Sequence, residues 1–286
     1  MKQRTIKTAL AATAVLGLAF AGMASAEPVD DTLVIDGVEI VTKAAGAAHL
    51  DGALPEAMSG WHFRDTETRA MQADDFDNPG MIYVDRGLDL WNAVDGTEGK
   101  SCASCHEGPE AMAGLRAVTP RVDEKTGKVM NIESYVNDCR TTRMGAEAWG
   151  DKAVELTDML ALISFQSRGE LMNVAIDGAA APFYEKGKEI YYTRFGQLEL
   201  SCASCHEDNY GNYIRSDHLS QGQTNGFPVY RLKDAKLTTP QGRFVGCVRD
   251  TRAETFKIGS DEFNALELYV ASRGNGLAVE GVSVRN

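Results

Sequence analysis

The chain is short of positive charge. In 286 residues, 29 Lys and Arg stand against 41 Asp and Glu, a formal net charge of −12. That deficit argues against nucleic acid and anionic membranes as partners, and favours a basic protein. Long apolar runs are also missing. The longest stretch, Ala9 to Phe20, is too short to span a bilayer, so no membrane anchor is expected. No methionine lies between residue 206 and the chain end. Cysteine is scarce, at six, and histidine at five. What matters is how those few are placed.

Ser-Cys-Ala-Ser-Cys-His-Glu occurs twice, at 101–107 and 201–207. Each copy holds Cys-x-x-Cys-His, the attachment motif of a c-type haem. Two thiols at that spacing reach the two vinyl groups of one haem, and the adjacent imidazole lands on one side of the iron. The first haem is expected on Cys102, Cys105 and His106, the second on Cys202, Cys205 and His206. A redox Cys-x-x-Cys needs no following His, and a zinc site needs four ligands at finger-like spacing. Two covalently bound haems c are the better reading.

Residues 1–26 read as a secretory signal. Lys2, Arg4 and Lys7 precede the apolar stretch, and Ala24-Ser25-Ala26 is a small-residue cleavage site. Cleavage after Ala26 lowers the cations from 29 to 26 against 41 anions, a net −15. The mature protein is expected in the periplasm, an oxidising compartment that suits its cysteine chemistry.

The similarity of the two motifs extends outward, so the chain reads as a duplication. Arg86-Gly87-Leu88-Asp89-Leu90-Trp91 lines up with Lys186-Gly187-Lys188-Glu189-Ile190-Tyr191, and each glycine precedes its first haem cysteine by 15 residues. A glycine facing an aromatic where two helices cross would allow close backbone approach. Each half ends in a helical stripe followed by Ser-Arg-Gly. The first stripe is Leu156, Met159, Leu160 and Ile163, with Gly169 as C-cap; the second is Phe263, Leu266 and Val270, with Ser260 as N-cap and Gly274 at its end. Helix, haem motif, long loop and helix is an order that resembles the class I cytochrome c domain. The expected fold is therefore mainly α: two tandem class I cytochrome c-like domains, at 76–176 and 177–286, behind an N-terminal extension at 27–75. Asp177 to Pro182 reads as the linker, and Leu33 to Val41 as a small hairpin turning at Asp36-Gly37. The rest of the extension shows little pattern and is expected to wrap the surface.

Two cysteines remain. Cys139 lies 37 residues after Cys102, and Cys247 lies 45 after Cys202. Each precedes its terminal helix, where a class I cytochrome c presents its sixth iron ligand. Cys139-Arg140-Thr141-Thr142-Arg143 also matches Cys247-Val248-Arg249-Asp250-Thr251-Arg252 locally. A Cys139–Cys247 disulfide, two inert thiols, and one distal thiolate per haem are the three readings. Repeat symmetry favours the thiolates, because a duplicated ligand is needed once per domain. Met144 is a rival ligand in the first half, but the second half has no counterpart. Around Cys247, between Arg231 and Lys257, seven cations meet three anions. Such a basic run suits a small oxyanion held by arginine forks, although charge runs are often only a solvated face.

Gly-Arg-Phe-Val-Gly-Cys-Val-Arg-Asp at 242–250, together with Cys139 and the two haem motifs, resembles the SoxA family. These are the dihaem subunits of SoxAX sulfur-oxidation cytochromes, or L-cysteine S-thiosulfotransferases. The resemblance covers essentially the whole mature chain. It implies His106 and Cys139 as axial ligands of the first haem, and His206 and Cys247 of the second. It also implies Cys247 as the active-site cysteine, carried as a persulfide, and Arg243 as the substrate-binding arginine. The implied reaction joins thiosulfate oxidatively to a cysteine of the carrier SoxYZ. The two electrons released would pass through haem to the monohaem partner SoxX or another cytochrome c. A non-catalytic dihaem electron carrier and a dihaem peroxidase are the alternatives. The first would carry an unmodified Cys247, and the second needs an iron with an open position.

Overall fold

A computed structural model describes residues 28–286, so the expected signal at 1–26 lies outside the described residues. Along the chain run α1 (Thr66–Ala73), α2 (Met81–Asn92), α3 (Ala103–His106), α4 (Ile132–Cys139), α5 (Val154–Phe165), α6 (Ala181–Tyr192), α7 (Cys202–His206), α8 (Pro240–Asp250) and α9 (Asp261–Ser272). The described strands are two or three residues long. No helix of the described residues is long and apolar enough to cross a membrane.

Two helix pairs carry the architecture: α2 packs on α5, and α6 packs on α9. Their contact points are the two aligned glycines. A Cβ at Gly87 would stand 2.5 Å from the Asp158 carbonyl oxygen and 2.8 Å from Leu162 Cβ. At Gly187 it would stand 2.1 Å from the Ala265 carbonyl oxygen and 2.7 Å from Tyr269 Cβ. No side chain fits there, so the backbones touch. The residues beside those glycines tie the same crossings by ion pairs: Arg86 Nε donates to Asp158 at 3.0 Å, and Lys186 Nζ to Glu262 at 3.1 Å. The predicted stripes, Leu156, Met159, Leu160 and Ile163 on α5 and Phe263, Leu266 and Val270 on α9, are all buried. Ser260 caps α9 as expected, its Oγ accepting from the Phe263 N–H at 3.3 Å.

Helix exits differ from the sequence reading. Gly169 is left-handed, at φ 84°, but lies four residues beyond the end of α5. Gly274 is not left-handed; four turn residues, 273–276, follow α9, and the last of them, Gly276, takes the positive φ of 92°. Tertiary pairing sets these exits: Gly169 N–H donates to the Val279 carbonyl, and Gly276 N–H to that of Met172.

The halves also exchange packing. Met172 and Val174 lie in the core built around α6 and α9, while Leu237 and Val282 enter the core of α2 and α5. The segment before the expected linker is thus pinned to Gly276 and Leu277 by backbone bonds, and to Asn275 by its side-chain amide, rather than left free.

The N-terminal extension does more than wrap the surface. Its hairpin pairs Leu33 with Ile40 and Ile35 with Val38, turning at Asp36-Gly37 as predicted. Leu33, Ile35, Ile40 and Trp61 form a small core with Ala278 from the far end of the chain. Buried Glu280 is the polar centre of this junction, accepting from Ser59, Gln72, Asn225 and Arg285. The contacts from Ser59 and Gln72 span more than 200 residues of sequence, which is why local pattern did not reveal them.

Candidate functional site

Each haem motif forms one short helical turn started by its leading serine. Ser201 Oγ accepts from the Ser204 N–H at 3.2 Å, and Ser204 Oγ accepts from the Ser201 N–H at 3.2 Å. Ser101 and Ser104 repeat both bonds, at 3.2 and 3.0 Å. The reciprocal cap fixes the turn that presents both thiols and the imidazole.

The second site is the more enclosed. His206 is half-buried, and its Nδ1 lies 2.8 Å from the Ser220 carbonyl oxygen. An Nδ1–H donated to that carbonyl leaves Nε2 as the lone-pair nitrogen available to a metal. Burial, helped by the charges of Arg243 and Arg273 and opposed by that bond, brings the imidazolium pKa down to about 4. The ring is therefore neutral at physiological pH. Gly222 covers it so closely that a Cβ there would stand 2.8 Å from His206 Cγ.

Helix α8 completes this site. Thr239 caps it by accepting from the Gly242 N–H at 3.2 Å, and Pro240 occupies its first turn. Arg243 and Cys247 are four residues apart and so share one helix face. Cys247 is half-buried and near enough to Cys202 and Cys205 for their charges to interact. Burial, with Cys247 second, pushes the Cys202 thiol up to about 12. Between Arg243 and Cys247 sits Gly246, with Arg243 Nη1 3.8 Å from where its Cβ would be. Of the seven cations in this basic segment, Arg231 is paired to Asp234 at 2.7 Å, and Arg249 is exposed. Arg243 makes no ion pair among the described residues, and its charge reaches His206. Lys233, Lys236, Arg252 and Lys257 are exposed as well, which leaves Arg243 as the half-buried guanidinium one turn from Cys247.

The first site has the same parts in a more open setting. His106 is exposed and lies 5.9 Å, ring to ring, from Trp91. Cys139 ends α4 and is exposed. A cavity of about 120 Å³ opens beside Cys102, walled by Leu90, Val136, Arg140, Met144 and Trp149 among others. Arg140 closes one side, stacked 3.6 Å over Trp149 and paired to Asp95 at 2.8 Å.

The segments that follow Cys139 and Cys247 differ by one residue. The Glu98 N–H donates to the Met144 carbonyl, and the Leu198 N–H to the Thr251 carbonyl, so Met144 and Thr251 are equivalent. Five residues separate Cys139 from Met144 but four separate Cys247 from Thr251. A π-helical turn, Arg140–Met144, absorbs the extra one. The local match of Arg143 to Arg252 is therefore a sequence coincidence; the residue in the place of Arg252 is Gly145, and both are left-handed. Cys139 and Cys247 are unpaired, as are the other four cysteines, so the disulfide reading finds no support.

Several residues at these sites had no role there assigned from the sequence. Trp91 Nε1 donates to the Glu107 carbonyl at 3.0 Å, anchoring the residue after His106. Glu207, after His206, is instead held by the buried guanidinium of Arg273 and by the Tyr192 hydroxyl at 3.0 Å. Arg273 Nε and Nη2 and the hydroxyls of Tyr191 and Tyr269 remain buried without partners. His49, His62 and His218 are bound into ordinary interior contacts, with Ser272, with Val29 and Thr42, and with Gly211 respectively. The donor set fits covalent haem: paired thiols on one turn, an imidazole with a free nitrogen, and an apolar cleft alongside.

A family profile described as SoxA/TsdA, cytochrome c domain, matches residues 86–172 and 186–279. The L-cysteine S-thiosulfotransferase subunit SoxA of Paracoccus pantotrophus is 68% identical over 284 residues, 98% of each chain. The protein of the same name from Rhodovulum sulfidophilum is 56% identical over 279 residues, 97% of each chain. A crystal structure of SoxXA from P. pantotrophus superimposes with a TM-score of 0.89 at 68% identity, covering 91% of this chain and 100% of that one. With its cytochrome c domains and covalent haem attachment, the chain belongs to the SoxA family.

Proposed function

We propose that this chain is the thiosulfate-conjugating subunit of a periplasmic sulfur-oxidation cytochrome. It is built as two tandem class I cytochrome c domains, at 76–176 and 177–286, each with one haem. Cys102 and Cys105 hold the first haem between His106 and Cys139; Cys202 and Cys205 hold the second between His206 and Cys247. The partner is a SoxX-type monohaem cytochrome, and the co-substrate is a cysteine of a SoxYZ-type carrier. The relatives' shared name and the SoxXA likeness support this reading.

The observation that carries it is the face of α8. Arg243 and Cys247 stand one turn apart on it with Gly246 between them, the charge of Arg243 reaching His206 and that of Cys247 reaching Cys202 and Cys205. The unpaired guanidinium offers parallel N–H donors to the sulfonate end of thiosulfate. That end held, the sulfane sulfur is directed at Cys247. In the overall reaction the carrier thiol loses its proton and a sulfur–sulfur bond forms to the sulfane sulfur. Two electrons and one proton leave. Haem, when bound, supplies a one-electron acceptor beside Cys247. The sulfane sulfur would first join the Cys247 sulfur as those two electrons leave; the carrier thiolate would then take it, breaking the bond to Cys247 and releasing its thiolate, while burial keeps water from competing.

Cys247→Ala should abolish conjugation while both haems stay covalently attached, read by intact mass and by turnover with thiosulfate and carrier protein. Retained turnover would exclude Cys247 as the active cysteine. In fresh wild-type preparations, a peptide carrying Cys247 without any added sulfur would favour a purely electron-carrying role.

A further inference from the structure

One buried carboxylate touches both cysteine-bearing helices. Glu267, on α9, is 3% exposed. Its Oε2 accepts from Asn131 Nδ2 at 3.0 Å and from Gln241 Nε2 at 2.8 Å. Asn131 is the N-cap of α4, with Oδ1 accepting from the Ser134 N–H at 3.0 Å. Gln241 lies in the first turn of α8, and its Oε1 accepts from the Gly259 N–H at 2.8 Å. So the amino ends of α4 and α8, from different halves of the chain, are bonded to one oxygen atom.

At their other ends these helices carry Cys139 and Cys247. Asn131 to Cys139 is eight residues, about 12 Å of helix, and Gln241 to Cys247 is six, about 9 Å. Over two or three turns a hydrogen-bonded helix moves as a rod. Displacing its first turn displaces its last. The junction itself is closed around Glu267. Arg116, also 3% exposed, spends its guanidinium on the carbonyls of Thr119, Thr224 and Phe227, bridging the halves. Glu133, on α4, is the second carboxylate here, and a small cleft lined by Arg116, Asn131, Glu133, Pro240 and Glu267 lies between them.

We propose that Glu267 is a positioning residue shared by both haem sites, setting through α4 and α8 where Cys139 and Cys247 stand. The proposal rests on those two cysteines being the distal haem ligands. It makes the two pockets one mechanical unit: a shift of α8 when Cys247 changes its bonding state is felt at Cys139 through a single carboxylate.

The test is low-temperature EPR and haem reduction potentials of the dihaem protein carrying Glu267→Ala, Glu267→Gln, Asn131→Asp or Gln241→Glu. Asn131→Asp keeps the cap acceptor for α4, and Gln241→Glu keeps the acceptor for Gly259; each replaces the donor to Glu267 with a second carboxyl oxygen facing it, and Gln241→Glu also gives up the bond to Asn264. Glu267→Ala should shift or split the low-spin signals of both haems, and Glu267→Gln should restore most of the wild-type spectrum. Asn131→Asp should disturb the first haem alone, and Gln241→Glu the second alone. Should Glu267→Ala not accumulate folded, the two single-arm variants still decide the matter, because unchanged spectra in both would overturn the proposal. Wild-type signals that respond to neither Cys139→Ser nor Cys247→Ser would remove the ligand assignment and the proposal with it. Wild-type thiolate signals that Glu267→Ala leaves unchanged would overturn the proposal alone.

Discussion

At the scale of single residues, the proposed chemistry divides between Arg243 and Cys247: one would hold charge, the other sulfur. Loss of a charge-assisted hydrogen bond typically costs about 1.5–3 kcal/mol, or about 10- to 100-fold in an affinity. Arg243→Ala should therefore raise KM for thiosulfate by that order. Arg243→Lys should recover little, because an ammonium cannot form the planar fork. Steady-state kinetics across thiosulfate concentration check this, and an unchanged KM in both variants would remove Arg243 from the substrate site. That the two share one helix was legible in the sequence, since a four-residue spacing is local information, whereas the roles proposed for them came with the family resemblance. Ser220 and Glu267 were not. Ser220 reaches His206 across 14 residues, and Glu267 reaches Asn131 across 136. Neither contact leaves a trace in local pattern.

At the scale of elements, the two helix crossings were readable because each needs a glycine at a fixed distance from its haem motif. The nearest neighbours of Gly187 are main-chain atoms, with the Ala265 carbonyl oxygen 2.1 Å and its carbonyl carbon 2.7 Å from where a Cβ would stand. They cannot yield as a flexible side chain would. Gly187→Ala should then cost about 1–3 kcal/mol by overpacking, despite the better helix propensity of alanine. Gly150→Ala is the control, since a Cβ there meets nothing within 4 Å. Urea unfolding of both variants separates the effects, and equal midpoints would show that the α6–α9 contact relaxes freely. The π-helical turn after Cys139 shows the limit of such reading. One extra residue in a loop looks like a gap in a sequence comparison, and only backbone bonding reveals that Met144, not Arg143, keeps register with the second half.

At the scale of the whole molecule, two carboxylates, the buried Glu280 and the half-buried Glu133, respond to pH in opposite senses. Burial alone would raise the Glu280 pKa. The Arg285 charge and the bonds from Ser59, Arg285 and Gln72 outweigh that and hold it below the usual carboxylate range; His62 is the other titratable group in its field. A carboxyl whose folded pKa is depressed contributes stability above its unfolded value, about 4.3, and loses it as pH falls. Glu133 is the reverse case. Burial, then the charge of Glu267, push it up to about 8 against the pull of Arg116, so the folded protein holds a proton that the unfolded chain releases above about 4.5. Its contribution is present at low pH and is lost as pH rises toward 8. Urea midpoints from pH 4 to pH 8 should therefore diverge in two directions. The deficit of Glu280→Gln relative to wild type should shrink toward acid pH, whereas Glu133→Gln should gain on wild type as pH rises. Parallel curves for Glu133→Gln and wild type would mean that the Glu133 carboxyl titrates alike in the folded and unfolded chain, and that the junction between the two halves stores no proton.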